Sequence, residues 1–148
     1  MRSVLIERDR EALGRRIAAL TPASSAGWGR MTVDRMLAHL SQSARMALGE
    51  LPVKSQGKRA FQVFPLKHLI LYVFPFPKGA PTAPELLAGP PAPVEDEKRA
   101  LLDLLARLGR GPRDGAGPTH PLFGPLSWPE WGALVYKHSD HHLRQFGE

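Results

Sequence analysis

Near the end of the chain stands the run Tyr136-Lys137-His138-Ser139-Asp140-His141-His142. His138 and His142 are four residues apart. On a helix that spacing puts two imidazoles on one face, with Cβ atoms about 6 Å apart, so both reach one metal ion. The pair prolongs an apolar stripe, because Trp131, Leu134 and Val135 precede it at helical spacing. A histidine that extends a buried stripe needs a polar partner or a ligand. His39, far upstream, falls on an apolar face of a second helical pattern. Three imidazoles from two packed helices would make a site with one coordination position left open for water or substrate. All three are neutral, so the whole +2 charge would act on the occupant, and a water or thiol there would lose its proton far more readily. The bland readings stand beside this one. A bare H-x-x-x-H occurs in many helices, and a lone histidine on an apolar face is commonly a hydrogen-bonded core residue.

The other histidines carry weaker signals. His141 is rotated about 100° from His142 and is a ligand only if it pairs with His138 or the helix is distorted; it reads as a supporting or structural residue. His68 has no partner at ligand spacing and reads as structural. His120 precedes Pro121 in a loop and could line a mouth. Gln42 and Ser43, three and four residues past His39, could hydrogen-bond a ligand or simply form the polar boundary of their helix. Asp140 points away from the pair and reads as solvated. The acids Glu95, Asp96 and Glu97 read as helix-start charges.

Composition narrows the chemistry. The chain has 148 residues and no cysteine, which excludes disulfides, zinc–thiolate sites and a cysteine nucleophile. A metal must be held by His, Asp or Glu, and any reacting thiol must arrive from outside. Twenty Lys and Arg against 14 acids give +6. The basic residues are scattered and no nucleic-acid motif appears, so a solvated basic surface is favoured over a nucleic-acid partner. No apolar run reaches the roughly 18 residues of a membrane span, and the start of the chain turns charged at once. The expectation is a cytoplasmic protein with no membrane partner.

Helices must position these side chains. One is predicted over residues 2–20, with Leu13, Ile17 and Leu20 on one face and Pro22 beyond its end. A second runs over 33–48, opened by Thr32 as N-cap and Asp34, with Met36, His39, Leu40, Ser43 and Met46 along its stripe. Residues 60–74 are apolar nearly all round. Periodicity alone leaves helix or strand open for Leu69-Ile70-Leu71-Tyr72-Val73-Phe74, and helix is preferred because nothing else offers a pairing strand. Residues 75–93 hold seven prolines and form an irregular crossing loop. The next helix starts at Val94, buries Leu101, Leu104, Leu105 and Leu108, and is expected to cap at Gly109. Residues 109–126 read as a Gly/Pro-rich connection. Ser127-Trp128-Pro129-Glu130 is a capping box opening the last helix, which ends near Phe146. Helices without a credible sheet give an all-α class: one domain over 1–148, four long helices and one short helical segment.

Several stretches together resemble a known group. These are Trp28-Gly29-Arg30-Met31-Thr32-Val33, His39-Leu40 and His138-Ser139-Asp140-His141-His142-Leu143-Arg144-Gln145-Phe146-Gly147. The chain is similar to the DinB/YfiT-like superfamily of metalloenzymes. Pro75-Phe76-Pro77-Lys78-Gly79-Ala80-Pro81-Thr82-Ala83-Pro84-Glu85 and His120-Pro121-Leu122-Phe123-Gly124-Pro125-Leu126 resemble one bacterial branch of it. The resemblance implies an up-down-down-up four-helix bundle, often a homodimer. It implies a divalent metal, Zn or Ni, on three histidines that match His39, His138 and His142. Some relatives act on small-molecule substrates with low-molecular-weight thiols as transferases or isomerases. The long Pro-rich loop and the 60–74 segment depart from those relatives and reshape the mouth.

Three readings follow. A metal-dependent transferase or hydrolase leads. A non-enzymatic metal-binding or stress-related helical-bundle dimer, its histidines structural or binding metal adventitiously, is the alternative, and nucleic-acid association through the +6 charge is third.

Overall fold

The apolar periodicity of the sequence becomes four long helices in the computed structural model, which describes residues 1–54, 59–78, 84–87 and 89–148. They are α1 (Glu7–Ala19), α2 (Val33–Ala47), α4 (Val94–Arg110) and α5 (Trp128–Gln145). A short α3 (Leu66–His68) runs directly into a wider π turn, Leu69–Val73. Helix α2 packs on α4 and α5, and α1 packs on the same two. The stripes meet in a core that includes Leu13, Ile17, Met36, Leu37, Leu101, Leu108, Trp131 and Leu143. Each fully buried side chain of this size stabilises the fold by roughly 1.5–3 kcal/mol.

Helix ends follow local chemistry. At α5 the capping box forms in full: Ser127 accepts the Glu130 amide, and the Glu130 carboxylate accepts the Ser127 amide at 2.7 Å. Thr32 stands at the N-cap of α2 without capping it through its side chain. Helix α1 starts five residues later than predicted. The residues before it are tied elsewhere, with the Ser3 amide on Asp9 Oδ2 and the Val4 amide on the Gly132 carbonyl. Gly109 does not end α4. It lies inside the helix, where a Cβ would collide with the Arg10 guanidinium, and Gly111 takes the cap.

The all-α expectation needs correcting. The protein is mostly helical, but residues predicted as a connection form an antiparallel hairpin, β1 (Ala116–His120) and β2 (Gly124–Ser127). Thr119 pairs with Pro125 and His120 with Gly124, with an irregularity between Ala116 and Thr119. Helix α5 holds the ribbon in place: the Trp131 indole donates to the Pro118 carbonyl at 2.7 Å. Gly117 is required at that contact, since a Cβ there would lie 2.7 Å from the Trp131 ring.

The segment over 59–74 is helical in pieces, as the sequence predicted in outline. A 3-10 turn, Arg59–Gln62, precedes α3, and the π turn stops at Phe74, before Pro75. The Lys137 ammonium on α5 gathers the carbonyls of Ile70, Leu71 and Phe74, supplying partners that the end of the turn lacks. Lys67 reaches the Glu130 carboxylate at 2.9 Å and the Pro125 carbonyl at 2.9 Å. These bonds lash the segment over α5 and the hairpin. Of the crossing loop, Pro84–Leu87 forms a 3-10 turn against α2, whereas residues 79–83 and 88 lie outside the described residues. Among the described residues, no helix is long and apolar enough to cross a membrane.

Candidate metal centre

Helix α2 brings His39 to its buried face beside Leu40 and Ser43, and α5 presents His138 and His142 one turn apart. The two faces meet, and the three imidazoles converge. Ring centroids stand 4.8 Å apart for His39–His138, 5.0 Å for His39–His142 and 4.9 Å for His138–His142. One nitrogen from each ring lies within 4.8 Å of the others, so the trio is close enough to hold one metal ion. Two nitrogens at metal–nitrogen distances of about 2.0–2.1 Å and a tetrahedral angle would be roughly 3.3 Å apart. The observed His39 Nε2–His138 Nε2 separation is 2.9 Å, a hydrogen bond between two imidazoles.

Outer partners fix which nitrogen of His39 and of His142 faces inward. The Gln145 Nε2 amide donates to the Trp28 carbonyl at 2.7 Å, which turns Gln145 Oε1 toward His142 Nδ1 at 2.8 Å. A carboxamide oxygen only accepts, so His142 carries its proton on Nδ1 and its lone pair on Nε2. His39 Nδ1 faces the Leu86 carbonyl, a long contact of 3.4 Å, which again leaves Nε2 as the acceptor. With the proton of His39 on Nδ1, the one between the two rings would be carried by His138 Nε2.

Burial makes all three rings poor bases. His39 falls to about 4, through desolvation first and the nearby His142 second. His138 is driven well below the ordinary histidine value by burial, then by His39 and His142. His142 is lowered by burial, against the opposing pull of Gln145. At neutral pH the trio is uncharged, the state in which imidazole donates a lone pair to a metal.

Aromatic side chains wall the site. Phe76 lies 6.1 Å from His138 and 6.0 Å from His141, and Trp28 lies 5.9 Å from His141. Lys137 stands over the Phe76 ring at 4.9 Å and Lys78 over the Trp28 ring at 4.4 Å.

Other predicted residues sort as follows. His141 flanks His142, with ring centroids 5.2 Å apart, and lies outside the convergent group. His120 is a hairpin residue: its Nδ1 accepts the Leu122 amide at 3.0 Å and the Phe123 amide at 3.2 Å. His68 approaches the Glu130 carboxylate at 3.8 Å. Gln42 lines a small recess with His39, Leu86 and Arg35, and the buried Ser43 hydroxyl has no hydrogen-bond partner among the described residues. Asp140 is not simply solvated; it pairs with Arg16 at 2.7 Å and Arg144 at 2.9 Å.

Gln145 is the site residue the sequence reading missed. It lies three residues past His142, on the same helix face, and that spacing was the available signal. Its backbone carbonyl also accepts the Gly27 amide at 2.7 Å, so one residue clasps both the 27–29 loop and a candidate ligand. Gly29, at φ +76°, lets that loop pass; a Cβ there would stand 3.0 Å from Gln145 Nε2.

Compared with protein-family models, curated proteins and solved structures, the chain shows no match.

Proposed function

We propose that the chain is a divalent-metal protein of the DinB/YfiT-like type, a four-helix bundle whose metal is held by His39, His138 and His142. The observation that carries this reading is the convergence of three neutral imidazoles, two of which, His39 and His142, have their outer nitrogens already engaged on Leu86 and Gln145. The donor set fits Zn or Ni: all nitrogen, uncharged, with a carboxamide behind one ring as such ligands require. Cation uptake needs the proton on His138 Nε2 to leave that nitrogen, so the imidazole pair acts as a placeholder for the ligand geometry. A cation in this place would polarise a water or an incoming thiol at its open position and lower that group's pKa. Phe76 and Trp28 shield the approach, and Gln145 keeps the His142 lone pair aimed inward. The activity that suits this arrangement is hydrolysis, or transfer with a low-molecular-weight thiol, on a small molecule.

A second reading, metal binding without catalysis, has one observation in its favour. Asp140, the carboxylate closest in sequence to the α5 pair, is committed to Arg16 and Arg144 and is not held as a base. The deciding experiment has two arms. Metal content of protein purified without added metal or affinity tag should be stoichiometric, and His142→Ala should abolish it; wild-type metal in that variant refutes the ligand set. A thiol-conjugation and hydrolysis panel on loaded protein then separates the readings. Turnover lost on chelation supports an enzyme, and inactivity across the panel leaves the binding protein.

A further inference from the structure

Among the described residues nine large apolar side chains are exposed, and five of them fall between positions 63 and 74. Phe64 is 79% exposed, Val73 64%, Val63 56%, Phe74 52% and Tyr72 37%. They form one ridge. The Phe64 ring is 5.6 Å from His68, His68 is 5.9 Å from Tyr72, and Val73 and Phe74 follow directly. Single exposed apolar residues are ordinary, but a contiguous patch marks a contact surface.

The stretch of sequence that carries this ridge is one-sided in charge, and Glu130, contributed by α5, is the acid that faces it among the described residues. From Glu50 to Glu85 the sequence has no acidic residue, yet it carries Lys54, Lys58, Arg59, Lys67 and Lys78. Lys67 is neutralised by Glu130, and Lys54 and Lys78 are exposed. A second copy of the chain would set these like-charged stretches against each other. A surface that is apolar beneath and negative above complements both features, as a bilayer with anionic headgroups does. Aromatic rings beside basic residues suit that interface. The helical pieces here are far too short to span, so the geometry is one of lying on the surface. The expectation of no membrane partner rested on the absence of a spanning run, and interfacial docking needs none. The inward side of the segment is held to α5 by Lys67 and Lys137, which leaves the ridge facing out.

We propose that the ridge formed by Val63, Phe64, Tyr72, Val73 and Phe74 docks the protein on an anionic lipid surface. The full chain is mixed with sedimentable vesicles of phosphatidylcholine alone or of phosphatidylcholine with phosphatidylglycerol. Binding is expected on the anionic vesicles only, and it weakens as salt rises. Phe64→Ser with Phe74→Ser should weaken it about tenfold or more; Val73→Asp, at a side chain 64% exposed, should act in the same direction. Lys54→Gln and Lys78→Gln should each weaken it about fivefold, the equivalent of ~1 kcal/mol per basic residue near such a surface. Circular dichroism and metal content of the variants control for folding. Failure to sediment with anionic vesicles overturns the proposal, as does unchanged binding by the folded serine variant. If light scattering shows a dimer that Val73→Asp dissolves, and no vesicle binding is seen, the ridge belongs to a second copy and the lipid assignment is wrong.

Discussion

His39 and His120 are both held near pKa 4 by desolvation, yet they sit in regions that do opposite things with an imidazole. At the hairpin, His120 Nδ1 is filled by two backbone amides, and the ring serves as a turn-closing acceptor. Between α2 and α5, the inward nitrogens of His39 and His138 meet each other, and the His142 ring faces both. A depressed pKa is therefore no mark of a ligand, because burial produces it in both places. What separates the two regions is where the ring nitrogens go: onto the backbone in one, toward a common point in the other.

The sharpest way to break the contrast is to remove one ring from each region. His138→Ala should abolish stoichiometric metal in elemental analysis, whereas His120→Ala should retain it; equal loss in both would erase the distinction. Next in size is Gln145→Leu, which keeps all three rings but frees His142 Nδ1. Metal affinity should fall about 10–100-fold in a chelator competition titration. An unchanged affinity would mean that Gln145 serves only the 27–29 loop.

The regions should behave alike toward acid. His39 and His120 have folded values near 4 against an ordinary 6.5, so the unfolded chain takes up protons first as pH falls. Their neutral forms support the metal-free fold fully above about pH 6.5, and that support is lost between about 6.5 and 4. Urea midpoints measured across this window should fall, and His120→Ala should flatten part of the slope. A midpoint that rises with acid would contradict the burial of both rings. At neutral pH His120→Ala itself should cost about 1–3 kcal/mol in urea unfolding, since it strands two amides of the turn. Ser127→Ala, at the start of the helix that carries His138 and His142, should cost about 1 kcal/mol, with metal stoichiometry unchanged.

The long helices and the one-turn spacing of His138 and His142 were legible in the sequence because periodicity and capping are local codes, whereas the arrival of His39 beside them depends on how α2 packs on α5. Met36, His39, Leu40 and Ser43 share a face whatever lies opposite, and Ser127 with Glu130 announces the start of α5. The hairpin was not legible for the converse reason. Ala116-Gly117-Pro118-Thr119-His120 has little strand propensity, and its place depends on the Trp131 indole and on room that only Gly117 leaves. Gly109 was misread in the same way, as a stop signal, when the glycine answers to Arg10 across the α1–α4 contact. Residues chosen by a distant neighbour look like punctuation when read alone.

Lys137 joins the two most dissimilar parts of the molecule. Its ammonium takes up carbonyl oxygens at the end of the π turn, and the next residue along α5 is His138. The outer strap is thus tied to the backbone beside a candidate ligand ring. Conversely, a cation seated below would stiffen the strap from beneath. One lysine stem thereby anchors the rim of the molecule to the stretch of α5 from which His138 projects.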